Sequence, residues 1–217
     1  MPIITISASM LEAVRKDPSS FGKILAIGED NKGGGSHGMF SCLVDVARAV
    51  HLNKLTVSQA VRELHSKFTR FKTNPENKIR QDRLVEQLVA YLNLYKKLDL
   101  EWIDGSRRIQ WGITRDVMLT GLTPWVVADE NGYISYLMAE RSFDWENQLR
   151  FPLYQQYISD NTIECKTGEI RVGFYFADTN TFDIRTYKPR ELKMAVDETG
   201  QIFNVLFTEY SKAKKES

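Results

Sequence analysis

A chain of 217 residues, 42% hydrophobic and 26% charged, is long enough to bury a core without disulfides or structural metal and fits one globular domain. Its net charge of +1 excludes a global field that would announce a polyanion binder, so any basic surface has to be local. Two distant cysteines, Cys42 and Cys165, match no zinc or iron–sulfur spacing and read as small buried hydrophobes in a reducing compartment.

From the N-terminus, "MPIITISASMLEAV" lacks the basic start and unbroken apolar run of a signal peptide. No stretch approaches the roughly 18 apolar residues of a membrane helix, so a cytoplasmic protein with no membrane partner is expected. A short extended piece leads to a capping box, Ser9-Met10-Leu11-Glu12, that starts a helix ended by Asp17-Pro18. The glycine loop in "EDNKGGGS" follows, and Ser36 is placed to cap "HGMFSCLVDVARAVHL". Such a loop can cradle a phosphate, but this one lacks the P-loop lysine and reads first as a connector. A second capping box, Thr56 to Gln59, opens a helix with Val57, Val61, Leu64, Phe68 and Phe71 on its buried face. A long helix is predicted over 75–98, with Val85, Leu88, Leu92 and Tyr95 on one stripe.

The period then changes. "RRIQWGITRDVML" and "GLTPWVVADENGYISYLMAE" are rich in β-branched and aromatic residues and contain a turn at Asp129–Gly132. A helix is predicted around 145–158, then a strand pair turning at "DTNT", then a last helix from near Pro189 with a frayed "SKAKKES" end. The order predicts an α/β (α+β) fold in one domain, 1–217, with a helical portion 1–98 and a mixed-sheet core 99–217 flanked by helices.

Five segments in this order carry a resemblance: "ISASMLEAVRKDPSSFGKIL", "GGGSHGMF", "LTGLTPWVVADENGYISYLMAERS", "ENQLRFPLYQQYIS" and "IRVGFYFADTNTFDIRTY". Together they resemble the RecB-like branch of the PD-(D/E)XK nuclease superfamily, whose active members cut DNA with magnesium or manganese. The resemblance implies a PD-(D/E)XK-type sheet and a site in the central hairpin. It puts the histidine metal ligand at His37 and the tyrosine of the following helix at Tyr154. The hairpin acids fall on Pro124 and Ala139, the lysine on Arg141, and the helix glutamine on Arg150.

Pro124 and Ala139 offer magnesium no side-chain oxygen, and Glu140 is the obvious substitute. Successive strand residues point to opposite faces, so Glu140 is expected to face away from Ala139 and Arg141 unless a bulge re-aims it. Asp116 lies too far back, about 26 Å along a straight strand at about 3.3 Å per residue. Arg141 stays protonated and can grip a phosphate without acting as a base.

The reading that follows is a catalytically degenerate nuclease fold that binds nucleic acid, DNA before RNA, or a protein partner. Arg141 and Arg150 would hold the phosphate, aided by Arg107 and Arg108 of "RRIQW". No cofactor is expected in that case. An active nuclease with a migrated site would use His37, Glu140 and, in a different sheet register, Asp116 on magnesium or manganese, with Arg141 and Tyr154 in the catalytic group. A third reading is a structural, self-associating component of a phage or defence assembly, with Trp102, Trp111, Trp125 and Trp145 on its surface.

Each residue also has a plainer role. His37 reads first as a polar helix-start residue, His65 as partly buried, and His51 as a helix-end imidazolium favoured by the dipole. Phe151, Tyr154 and Tyr157 are core before they are a base-stacking platform, and "KIRQDR" and "RRIQW" are solvated surface before they are a backbone contact.

Overall fold

The structure, a computed structural model, describes residues 4–28 and 38–216. Strand β1 (Ile4–Ser7) leads into α1 (Leu11–Lys16), which Met10 enters without a side-chain cap. The expected capping box does not form. Ser9 bonds the Ser7 hydroxyl, while the Glu12 carboxylate accepts the distant Leu149 N–H at 2.6 Å and so fastens a loop to the helix. Asp17-Pro18 ends α1 as anticipated and at once starts a further helix, α2 (Pro18–Ala26). Asp17 Oδ1 accepts the Ser20 N–H at 3.0 Å, and Pro18 occupies a position where its missing N–H costs nothing.

Helix α3 (Met39–Asn53) starts from Gly38; the glycine loop, the expected cap Ser36 and His37 lie outside the described residues. Helix α4 (Val57–Phe68) has the full capping box between Thr56 and Gln59. Ala60, Leu64 and Phe68 carry its buried stripe, whereas Val57, in the first turn, is exposed. Helix α5 (Pro75–Lys97) is capped by Asn74 and buries Leu84, Leu88, Tyr91 and Leu92.

The strands are β2 (Glu101–Asp104), β3 (Arg108–Gly112), β4 (Val117–Leu122), β5 (Trp125–Asp129) and β6 (Gly132–Ala139). Helix α6 (Arg150–Ile158) follows, then β7 (Ile170–Phe176), β8 (Thr181–Arg185) and α7 (Pro189–Glu216). They form two sheets where a single mixed sheet was expected: β1-β4-β3, and β2-β5-β6-β7-β8. The break falls at Thr123-Pro124, between β4 and β5. Proline has no N–H for a ladder, and the Thr123 N–H and hydroxyl are both bonded to the Arg107 backbone, so β5 leaves one sheet and founds the other.

In the larger sheet β5 and β6 form the expected antiparallel hairpin. Helix α6 then carries the chain to β7, which runs parallel to β6, and β8 returns antiparallel. Both faces of this sheet are covered. Trp125, Val127, Ile134, Tyr136 and Tyr175 pack against α3, α4 and α5. Val126, Val172, Phe174 and Phe176 pack on the opposite side with α6, α7 and the smaller sheet. Burial on two faces is why "VGFYFA" reads as a continuous apolar run rather than an alternation.

The sequence division at residue 98 does not separate two bodies. Strand β1 pairs with β4, and Gly22 of α2 lies directly against the backbone of α7 at Leu206. Trp145 precedes α6 and is buried, with its Nε1–H donating to Asp183 Oδ2 at 2.8 Å. Trp125 is buried too, so these two indoles are core rather than surface. Helix α7 keeps its helical geometry through Glu216 instead of fraying, since Ala and Lys are good helix formers and the basic end suits the dipole. Among the described residues no helix is long and apolar enough to cross a membrane.

Candidate functional site

The polar segment after β6 lies where the C-terminal ends of β6 and β7 meet the side of α5. Ala139 belongs with the α6 face of the sheet, whereas Glu140 turns to the α5 face. Its two carboxylate oxygens are both engaged, Oε2 by Arg80 at 2.7 Å and Oε1 by Arg83 at 2.8 Å. Arg80 and Arg83 lie one helical turn apart on α5, and that spacing lets two guanidinium groups reach one carboxylate.

Beyond Ala139 the chain leaves strand geometry, so Arg141 lines the same hollow as Glu140 rather than the opposite face. The hollow holds about 330 Å³ and also meets Arg83, Glu86, Gln87 and Asp178. Arg141 is exposed and makes no ion pair among the described residues. Ser142 pins the segment in place: its N–H donates to Asp178 Oδ2 at 3.0 Å and its hydroxyl reaches the same oxygen at 3.2 Å. Those bonds hold the Asp178 carboxyl below its usual pKa. Gln87 Oε1 is buried at the hollow's wall without a hydrogen-bond partner among the described residues.

Arg150 does not join Arg141. Its guanidinium lies 5.2 Å from the Phe151 ring centroid and 5.7 Å from that of Phe174, and its Nε donates to Gln148. Burial lowers its pKa, opposed by Tyr154 and Glu12. Tyr154 and Phe151 are buried in the same core, and burial raises the Tyr154 pKa. Arg107 is ion-paired with Asp104, and Arg108 is exposed on β3, in the smaller sheet. Asp116 precedes β4 at the end where its carbonyl accepts the Ile4 N–H.

Pro124 and Ala139 supply no ligand atom, Glu140 is neutralised by two arginines, and His37 lies outside the described residues. Among the described residues no three His, Cys, Asp or Glu side chains gather as a metal cluster. The donors described here therefore do not fit magnesium, which asks for several oxygen ligands at once.

A second polar arrangement lies between α3, α5 and the larger sheet, and it concerns His51. The ring is stacked on Trp102 at 4.9 Å with 7° between planes, and Tyr95 lies 4.3 Å away on a tilt. Nε2 is 2.6 Å from the Tyr91 hydroxyl, which is 2.6 Å from the Tyr136 hydroxyl. Burial lowers the His51 pKa to about 4, so the ring is neutral near pH 7 rather than the imidazolium expected at a helix end. Burial likewise raises Tyr91, Tyr95 and Tyr136 above the ordinary phenol value. His65, expected to be partly buried, is exposed, with its ring set edge-on to Phe68. Nothing in the sequence spacing links His51, Tyr91 and Tyr136. Only the pairing of two helices with one strand brings them together.

The molecule is thus an α/β protein with a five-stranded mixed sheet covered on both faces and an arginine-bridged glutamate at the end of β6. No protein-family model matches the sequence, and no curated protein matches it.

Proposed function

We propose that this chain is a nuclease-type fold of the RecB-like kind that has given up hydrolysis and binds the backbone of nucleic acid, DNA before RNA, at the end of β6. The observation that carries the reading is the bridging of Glu140 by Arg80 and Arg83 beside Arg141, which has no ion pair among the described residues. A carboxylate held by two guanidinium groups is a poor cation ligand. The same groups, when they exchange Glu140 for a phosphate, form charge-assisted bonds of matching geometry.

Glu86, Glu140 and Asp178 balance Arg80, Arg83 and Arg141 in formal charge, so binding is weak until Glu140 lets go. Three guanidinium groups on duplex DNA would give a salt slope of about −2.7, taking about −0.9 per phosphate. Fluorescence anisotropy with labelled single-stranded and duplex DNA and RNA, across a sodium chloride series, measures it. Glu140→Gln is expected to tighten binding several-fold, and the double variant Arg80→Glu with Arg83→Glu to abolish it. Absence of binding at low salt removes nucleic acid from the reading. Manganese-dependent cleavage lost in Glu140→Gln replaces it with an active nuclease.

A further inference from the structure

At the C-terminal ends of α3 and α5, where β2 passes, the surface opens into a cavity of about 660 Å³. It shares no lining residue with the hollow at Glu140. Val50, Leu55, Leu92 and Leu100 supply apolar lining, Tyr95 and Trp102 add ring surfaces, and His51, Lys54 and Glu101 add polar groups. That volume is in the range of sites that take small organic molecules, where a few placed polar groups fix the orientation. His51 faces it from among the rings, stacked on Trp102.

The hydrogen-bond chain behind His51 determines what that ring can offer. Tyr136 is fully buried and its hydroxyl meets only that of Tyr91 among the described residues. If Tyr91 donated to Tyr136, the Tyr136 proton would be buried without an acceptor, at a cost of about 1–3 kcal/mol. Tyr136 therefore donates to Tyr91, and Tyr91 donates to His51 Nε2. The neutral ring then carries its proton on Nδ1. Nδ1 has no hydrogen-bond partner among the described residues, and it is not sealed from solvent. The two tyrosines thus set an N–H donor on a ring that lines the cavity beside Tyr95 and Trp102. At the rim, Lys54 and Glu101 are exposed, carry opposite charges and make no ion pair among the described residues. Together they favour a guest without net charge.

We infer that this cavity is a binding site for a small, uncharged, planar heteroaromatic molecule that presents a ring nitrogen or carbonyl oxygen to the Nδ1–H of His51. Apolar residues and rings select a flat, polarizable body, and the donor that the tyrosines fix on His51 selects the acceptor. The inference is independent of nucleic-acid binding at Arg80 and Arg83.

Quinoline, neutral at pH 7 with one ring nitrogen, is the probe, and naphthalene is its match in shape without the acceptor. Saturation-transfer NMR and quenching of tryptophan fluorescence measure both on the full chain. Quinoline is expected to bind about tenfold more tightly than naphthalene, the worth of one well-placed hydrogen bond. His51→Phe keeps a ring in the stack and is expected to erase that preference. Val57→Trp alters only an exposed residue at the cavity mouth and is expected to block both probes while the protein stays folded. The inference fails if quinoline does not bind, if naphthalene binds equally well, or if Val57→Trp leaves binding unchanged.

Discussion

His51 meets solvent on little more than the side that faces the cavity, because Trp102 and Tyr95 flank the ring and Tyr91 takes Nε2. Charging it would strand a cation among aromatic groups whose own hydroxyls stay protonated. In the unfolded chain the same side chain titrates near about 6.5, whereas in the fold burial holds it to about 4. The unfolded state therefore takes up a proton first as the pH drops. The contribution of His51 to stability is complete above about pH 6.5, declines as pH falls towards about 4, and amounts to about 3 kcal/mol in all. Urea melts at pH 7 and pH 4.5, compared with those of His51→Phe, isolate this share from the carboxylates that titrate nearby. An imidazole resonance of His51 that moves with a midpoint near 6.5 would show that the ring is not buried in this way. Glu140 behaves differently. Its arginine partners are both more than 40% exposed, so the bridge is screened, and Glu140→Gln is expected to change stability by less than about 1 kcal/mol while changing affinity.

Among the elements, β7 has little room for change at Gly173. A Cβ on Gly173 would come within 2.1 Å of the Asp183 carbonyl on β8 and 2.9 Å of the Trp145 indole. Neither neighbour can yield, since the carbonyl belongs to the adjacent strand and the indole is fixed by its bond to the Asp183 carboxylate. Gly173→Ala is expected to cost about 3 kcal/mol or more in chemical denaturation, with a red shift of Trp145 emission as the ring is displaced. A milder change, Thr56→Ala, removes the cap of α4 and is expected to cost about 1 kcal/mol. That cap was legible in the sequence because both partners lie within four residues, and so was the Asp129–Gly132 turn. Of the expected α5 stripe only Leu88 and Leu92 are buried, with Leu84 and Tyr91 beside them, while Val85 and Tyr95 are half-buried. Helix α2 was missed because Asp17-Pro18 can stop one helix and start another, and only the packing against α7 decides which. Glu140 and the "KIRQDR" segment were visible separately. Their junction spans 57 to 60 residues of sequence, and spacing along a chain carries no signal for it.

At the scale of the molecule, the larger sheet is the partition shared by two hydrophobic cores. Tyr136 and Tyr175 face α3 to α5, while Phe174 and Phe176 on the same strand pair face α6 and α7. Losing either core would expose one side of β6 and β7 to water. Because those strands are apolar on both sides, the remaining core cannot hold the sheet against that exposure. The two cores are therefore expected to unfold together, although the sequence reads as a helical half followed by a sheet half. Leu88→Ala empties a site in one core and Phe203→Ala in the other, both fully buried, at an expected cost of about 3 and about 4 kcal/mol. In each variant far-ultraviolet circular dichroism and tryptophan fluorescence should report one transition with a common midpoint, lowered from that of the parent chain. A Phe203→Ala protein whose α3 to α5 helices melt at the parent's midpoint would mean that the sheet does not couple the cores. The α5 arginines would then form a surface able to survive without the rest of the fold.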